Sequence, residues 1–244
     1  MTGEFYVDSF DSLPFGKTVD LFSNQLPRWS AFVLAAWYRL RYWLGCPPKP
    51  EYATRWCDTF VSQPREDLPA RALSRWAPYI EELRDLGFTE IAWSNSDTIG
   101  AKAEALIILL DETGTTLVLL LWMRMSSKGG YLEEQTSISL VSYYPDGREL
   151  MTGAIPRAQL TLVDTLTPDY VDARFLGIPI AIANLIQQHT ERQEQNDILQ
   201  FTPEGILAHY QKQVLRFFKH ECEAGFLRPL SPHEVEYAKG CRLL

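Results

Sequence analysis

The stretch Glu104–Ser126 reads EALIILLDETGTTLVLLLWMRMS, two apolar runs joined by a short polar turn. Ala105 to Leu110 and Leu117 to Met123 are unbroken apolar segments, and Asp111-Glu112-Thr113-Gly114 between them supplies turn-forming residues. Apolar runs of this length bounded by turn signals are expected to form strands covered on both faces. The stretch therefore predicts a β-hairpin at the centre of a sheet. The segments around it extend that sheet. Glu90–Ser94 is a short strand candidate, and Ser126–Gln135, with Gly129-Gly130, is expected as a loop. Thr136–Tyr144 alternates, and Pro145-Asp146-Gly147 turns the chain into Arg148–Ile155. Gln159–Thr165 is expected to add an edge strand.

Helical patterns lie on both sides of this meander. Asp67 and Pro69 open a helix carrying Leu73, Trp76, Ala77, Ile80, Leu83 and Leu86, with Pro78 predicting a kink or a start near Ala77. After the sheet, Thr167-Pro168-Asp169 is expected to cap a short helix through Phe175. Pro179 opens a second one, with Ile182, Leu185, Ile186 and His189 on one face. Thr202 and Pro203 begin a long helix ending at Gly225, and Ser231 with Glu234 has the spacing of a capping box. Strands in series followed by helices in series make this an α+β chain, an antiparallel β-meander of four to six strands flanked by helices. Residues 1–68 are expected as an N-terminal arm, an amphipathic helix over 28–45 and a Pro-rich linker, and residues 69–244 as the globular domain.

That amphipathic helix is the most informative segment for function. Trp29–Gly45 reads WSAFVLAAWYRLRYWLG. At about 100° per residue, Trp29, Phe32, Val33, Ala36, Trp37, Leu40, Trp43 and Leu44 share one face, with Ser30, Ala31, Ala35, Tyr38 and Tyr42 opposite. Arg39 and Arg41 border the apolar face. Between Asp20 and Glu51 lie Arg28, Arg39, Arg41 and Lys49 and no acid, although the whole chain carries a formal net charge of -8. A basic, Trp-rich amphipathic helix in an acidic chain has the form of a membrane-interface helix. The competing readings are a helix packed on the protein's own core and a docking surface for another protein. The expected contact residues are Arg28, Trp29, Phe32, Val33, Trp37, Arg39, Leu40, Arg41, Trp43 and Leu44.

The acidic balance argues against a general nucleic-acid binder. Cys46, Cys57, Cys222 and Cys241 fall in no CxxC pair and suit a reducing compartment. No basic and apolar leader opens the chain, and no run of eighteen apolar residues occurs. These features point to a cytoplasmic protein, at the inner face of the membrane if it is membrane-bound. Motifs for nucleotide binding, Ser hydrolysis and zinc proteolysis are absent. His189-Thr190-Glu191 lacks the following PCxxC of a zinc deaminase. His209 and His220 stand about 16 Å apart along one helix, too far to share a metal, and Cys222 adds only one ligand. Glu133-Glu134, Glu81-Glu82 and Asp169 with Asp172 are ordinary carboxylate pairs, while Trp93, Trp122 and Tyr143 fit a sheet core better than a pocket. The sequence thus predicts no catalytic residues, no cofactor, no metal and no recognisable small-molecule substrate. The expectation is a non-enzymatic accessory or scaffold protein, peripheral to a membrane or to a membrane-protein partner. A small-ligand-binding α+β module, or an enzyme of unrecognised class, is the alternative.

Overall fold

The computed structural model describes residues 5–10, 13–23, 26–46, 48–56, 61–126, 132–156, 160, 163, 166–193 and 197–243. It is an α+β fold with two mostly antiparallel sheets. The larger sheet is built outward from the predicted hairpin, β5 (Lys102–Asp111) and β6 (Leu117–Ser126). Its other strands are β3 (Phe88–Asn95), β7 (Leu132–Tyr143), β8 (Glu149–Ile155) and β9 (Val171–Gly177), in the order β3-β5-β6-β7-β8-β9. Only the β8–β9 pair at one edge is parallel.

The turn closing the hairpin has a specific chemistry. Asp111 Oδ1 accepts the amides of Thr115 and Thr116, both at 2.8 Å, and its other oxygen accepts the Thr113 hydroxyl. Gly114 takes φ +73°, and a Cβ there would overlap the Phe201 carbonyl oxygen.

Register explains why both strands are apolar at every position. Ala105, Ile107 and Leu109 pair with Trp122, Leu120 and Val118 on one face. That face is covered by helix α3 (Ala70–Asp85), through Ala72, Trp76, Ile80 and Leu83, and by α4 (Ile182–Arg192), through Ile182 and Leu185. Ile108 and Leu110, with Leu117 and partly buried Leu119, meet Ile206, Leu207 and Tyr210 of α5 (Pro203–Glu223) on the other face. A strand sandwiched between helical layers has no polar side, so no alternation survives in its sequence.

The second sheet, β10-β1-β2-β4, draws on distant parts of the chain. It contains β1 (Phe5–Asp8), β2 (Tyr52–Arg55), β4 (Thr98–Gly100) and β10 (Leu227–Pro229). Helix α6 (Pro232–Lys239) follows, opened by a complete Ser231–Glu234 capping box. Tyr6, Leu13, Phe218, Phe226 and Leu227 form the small core beneath this sheet.

Several expectations need correction. The arm is not simply extended. It contains β1 and helix α1 (Phe15–Ser23), because Phe15, Val19 and Phe22 at helical spacing meet the next helix. The stretch read as a linker contributes β2, paired with both β1 and β4. Helix α3 runs continuously through Pro78, which is exposed, as is Ser74, whose carbonyl loses its amide partner on the solvent side. The loop expected over 126–135 is strand from Leu132 onward, and Ser126 itself ends β6. The short helix expected through Phe175 is instead strand β9. Val171 and Ala173 are half-buried while Asp172 and Arg174 are exposed, a period of two that won over the Thr-Pro-Asp capping signal. The edge strand expected over 159–165 lies mostly outside the described residues, and Leu160 and Val163 within it are helical.

Candidate functional site

Helix α2 (Arg28–Trp43) follows Pro27 and stops at Gly45, whose φ of +70° breaks the helical path. Its packing runs against the ordinary rule for an amphipathic helix. The residues turned to the body are the small ones: Ala31 and Ala35 are 0% exposed, packed with Val19, Phe15 and Phe22 of α1. Small side chains there let the two helices approach closely, and of the large apolar residues Phe32 adds an edge-to-face contact with Phe15.

One end of this inner face is tied down by polar groups. Tyr38 donates its hydroxyl to that of Tyr42 at 3.0 Å, and Ser9 Oγ approaches the same oxygen at 3.5 Å. Tyr42 also accepts from Arg228, whose guanidinium pairs with Glu234 at 2.7 Å. That pairing holds the Glu234 carboxyl down at about 2. Arg39 donates to the Leu13 carbonyl and lies over the Phe15 ring, and Arg41 Nε donates to the Cys46 carbonyl at 3.0 Å.

All eight residues of the predicted apolar face point outward. Trp29 is 74% exposed and Trp43 82%, and Phe32, Val33, Ala36, Trp37, Leu40 and Leu44 are exposed with them. Arg28 and Lys49 are also exposed, while Arg39 and Arg41 are half-buried beside the apolar face. Nine of the ten predicted contact residues lie on α2 and Leu44 caps it, with the large apolar ones exposed and Phe32 also touching Phe15. Leu26 and Leu34 extend the exposed apolar surface, and Lys17 on α1 is exposed as well. Sequence reasoning missed α1 as the support of this face, although the spacing of Phe15, Val19 and Phe22 was available to find it.

Beside this face is a notch of about 270 Å³ between α1 and α2. Phe15, Gly16, Val19 and Asp20 line it from α1, and Arg28 and Phe32 from α2.

The remaining chemistry is interior. Ser142 and His189, the residue types of a nucleophile and its base, stand 3.0 Å apart at 0% and 1% exposure. Their hydrogen-bond roles oppose that pairing. Ser142 Oγ donates to the Thr115 carbonyl at 2.9 Å and accepts Gln193 Nε2 at 2.9 Å, so its remaining lone pair accepts the His189 Nε2 proton. His189 Nδ1 then accepts the hydroxyl of Thr152 at 3.0 Å. Arg192 completes the network, donating to Thr152 Oγ1, to the Met151 carbonyl and to Asp172. Burial and then the Arg192 charge push the His189 imidazole from 6.5 down to about 4, against a weaker pull from Asp111. The cluster is a polar clamp between α4 and the sheet.

His209 lies against Tyr143 and Phe201 and meets Gln213 at 3.1 Å, and so occupies a packing position. The hydrogen bond that Glu134 accepts from Trp122 Nε1 at 3.0 Å, and after it the charges of Arg71 and Arg75, hold its carboxyl below the usual range. Among the described residues, no group of three His, Cys, Asp or Glu is arranged to hold a metal ion. Among the same residues, no helix is long and apolar enough to cross a membrane. Comparison with protein-family models, curated proteins and solved structures finds no match to this chain.

Proposed function

We propose that this is a non-enzymatic accessory or scaffold protein held at an anionic membrane surface by the outer face of α2. One observation carries the reading: the buried residues of the helix are alanines, while Trp29, Trp37 and Trp43, with five further apolar residues, are exposed. Burying a large apolar side chain contributes about 1.5–3 kcal/mol, so a face of this size favours any apolar environment that covers it. Contiguous apolar patches of this kind mark interaction sites. Charge selects the environment. Arg28 is exposed at the start of the face and Arg41 borders it, while Arg39 turns to the Leu13 carbonyl and Lys49 to the Tyr237 ring, and basic groups near an anionic leaflet add about 1 kcal/mol each. Tryptophan at three positions suits the boundary between headgroups and acyl chains, where an apolar ring and a polar N–H are both accommodated.

The test is flotation with vesicles of phosphatidylcholine alone and with a third of it replaced by phosphatidylglycerol. Wild-type protein is expected to float with the anionic vesicles and to be released by salt, with a blue shift of Trp emission. The double variant Trp37→Ser/Trp43→Ser should keep its melting temperature, because both rings are exposed, and lose vesicle affinity by about tenfold or more. Wild-type protein that stays with the soluble fraction for both vesicles overturns the reading. Deleting residues 1–50 is a poorer test, because it also removes β1 from the small sheet.

A further inference from the structure

We infer that the notch between α1 and α2 is a headgroup site for a zwitterionic phosphoethanolamine lipid, with Arg28 taking the phosphate and Asp20 the ammonium. The inference rests on the membrane reading above and adds lipid selectivity to it. Phe32 belongs to both surfaces: it lines the notch and stands on the outward face of α2, so the notch opens on the side that would meet the bilayer. Its walls are Phe15 and Phe32, edge to face at 5.2 Å, and buried Val19 forms part of the lining.

The two charged lining residues carry opposite signs. Asp20 and Arg28 are both exposed, and among the described residues neither makes an ion pair. A ligand seated between them satisfies both only if it bears a negative and a positive group of its own. A purely anionic headgroup would satisfy Arg28 and be repelled by Asp20. Phosphoethanolamine has both charges, and its primary ammonium donates charge-assisted hydrogen bonds to a carboxylate, which a trimethylammonium group cannot do. Gly16 also lines the notch, and an added Cβ there would meet nothing within 4 Å, so a side chain can be introduced without a clash. A larger side chain at that position enters the space beside Asp20, its neighbour one turn along α1.

The experiment compares vesicles of phosphatidylcholine and phosphatidylglycerol with vesicles in which half of the phosphatidylcholine is replaced by phosphatidylethanolamine, at constant phosphatidylglycerol. Wild-type protein is expected to bind the ethanolamine vesicles about threefold to tenfold more tightly. Asp20→Asn, which removes the ammonium's partner, and Gly16→Leu, which fills the notch, should each bring that ratio close to one. A wild-type ratio near one overturns the inference and leaves the membrane reading standing. So does a preference that survives in both variants, which would reflect lipid packing around the helix rather than a headgroup site. Wild-type protein that binds neither vesicle removes the membrane reading, and soluble glycerophosphoethanolamine then decides the notch. Saturable amide shifts at Gly16 and Arg28, abolished in Asp20→Asn, would support a site for the free phosphodiester. No shifts in that titration would overturn the site itself.

Discussion

One imidazole should subtract from the stability of this fold on acidification, against two buried carboxyls that add to it. His189 is 1% exposed, and every polar neighbour it has in the clamp is arranged for the neutral ring: Ser142 Oγ accepts at Nε2 and the Thr152 hydroxyl donates to Nδ1. Arg192 stands beside it, and Asp111 offsets it only partly. The native pKa is about 4 against 6.5 for the free group, so the native state binds the proton less readily than the unfolded chain does. Stability from this group is therefore complete above the unfolded value and is lost as the pH falls from 6.5 toward 4. At about 1.4 kcal/mol per pKa unit, the loss is about 2 kcal/mol near pH 5 and about 3 kcal/mol once both states are protonated. Glu149 and Glu221 act in the opposite sense. Burial lifts their carboxyls to about 7 and about 8, so they add stability as the pH falls through those values. A pH profile of the wild type alone would mix the two effects. The measurement is urea unfolding of wild type and His189→Gln near pH 7.5 and near pH 5, comparing only the change between the two conditions. The carboxylates act in both proteins and cancel. Wild type should lose about 2 kcal/mol more than the variant across that interval. Equal changes in the two proteins would refute the argument.

The central hairpin gives two simpler expectations. Leu120 is fully buried between β5, α3 and α4, so Leu120→Ala should lower unfolding free energy by about 2–5 kcal/mol in urea titrations. Gly114→Ala forces a side chain into a positive-φ site against the Phe201 carbonyl. It should cost more than about 1 kcal/mol and disturb the Gly114–Phe201 hydrogen bond, visible as faster amide exchange at Phe201.

The elements that were legible in the sequence are those whose determinants are local. The hairpin declares itself through two apolar runs and a turn, and α5 and α6 through side chains that accept amides within one turn of their starts. The miss at β9 has a physical origin. Thr167-Pro168-Asp169 satisfies helix-start chemistry, but Val171 to Gly177 gain a seven-residue parallel ladder beside β8 that local preference does not register. The small sheet was illegible for the same reason, since its four short strands come from widely separated positions and each is weak alone. For the candidate site, periodicity identified the residues on the face of α2 and could not say which way the face turns. That direction is set by Ala31 and Ala35, whose small side chains carry little hydrophobic signal yet are the buried residues of α2 against α1. The His189 clamp was hidden too, because Ser142, Thr152 and Gln193 are unremarkable until the sheet and α4 assemble them.

The position of α1 and α2 between β1 and β2 has one more consequence. These strands are antiparallel neighbours, with Phe5 opposite Arg55 and Tyr6 opposite Thr54, and the side chains of Asp8 and Tyr52 hydrogen-bond where the ladder would otherwise close. Topologically, residues 9–51 are a detour inserted into a hairpin whose two feet stand on adjacent rungs. A short reverse turn would span those feet, but it would remove Leu13 and Phe10 from the small core beneath the sheet. The helical pair is also anchored to the sheet it interrupts, since Tyr42 of α2 meets Arg228 of β10 and Phe10 lies between Tyr38 and Phe226, so its exposed tryptophans are held at a fixed place beside that sheet.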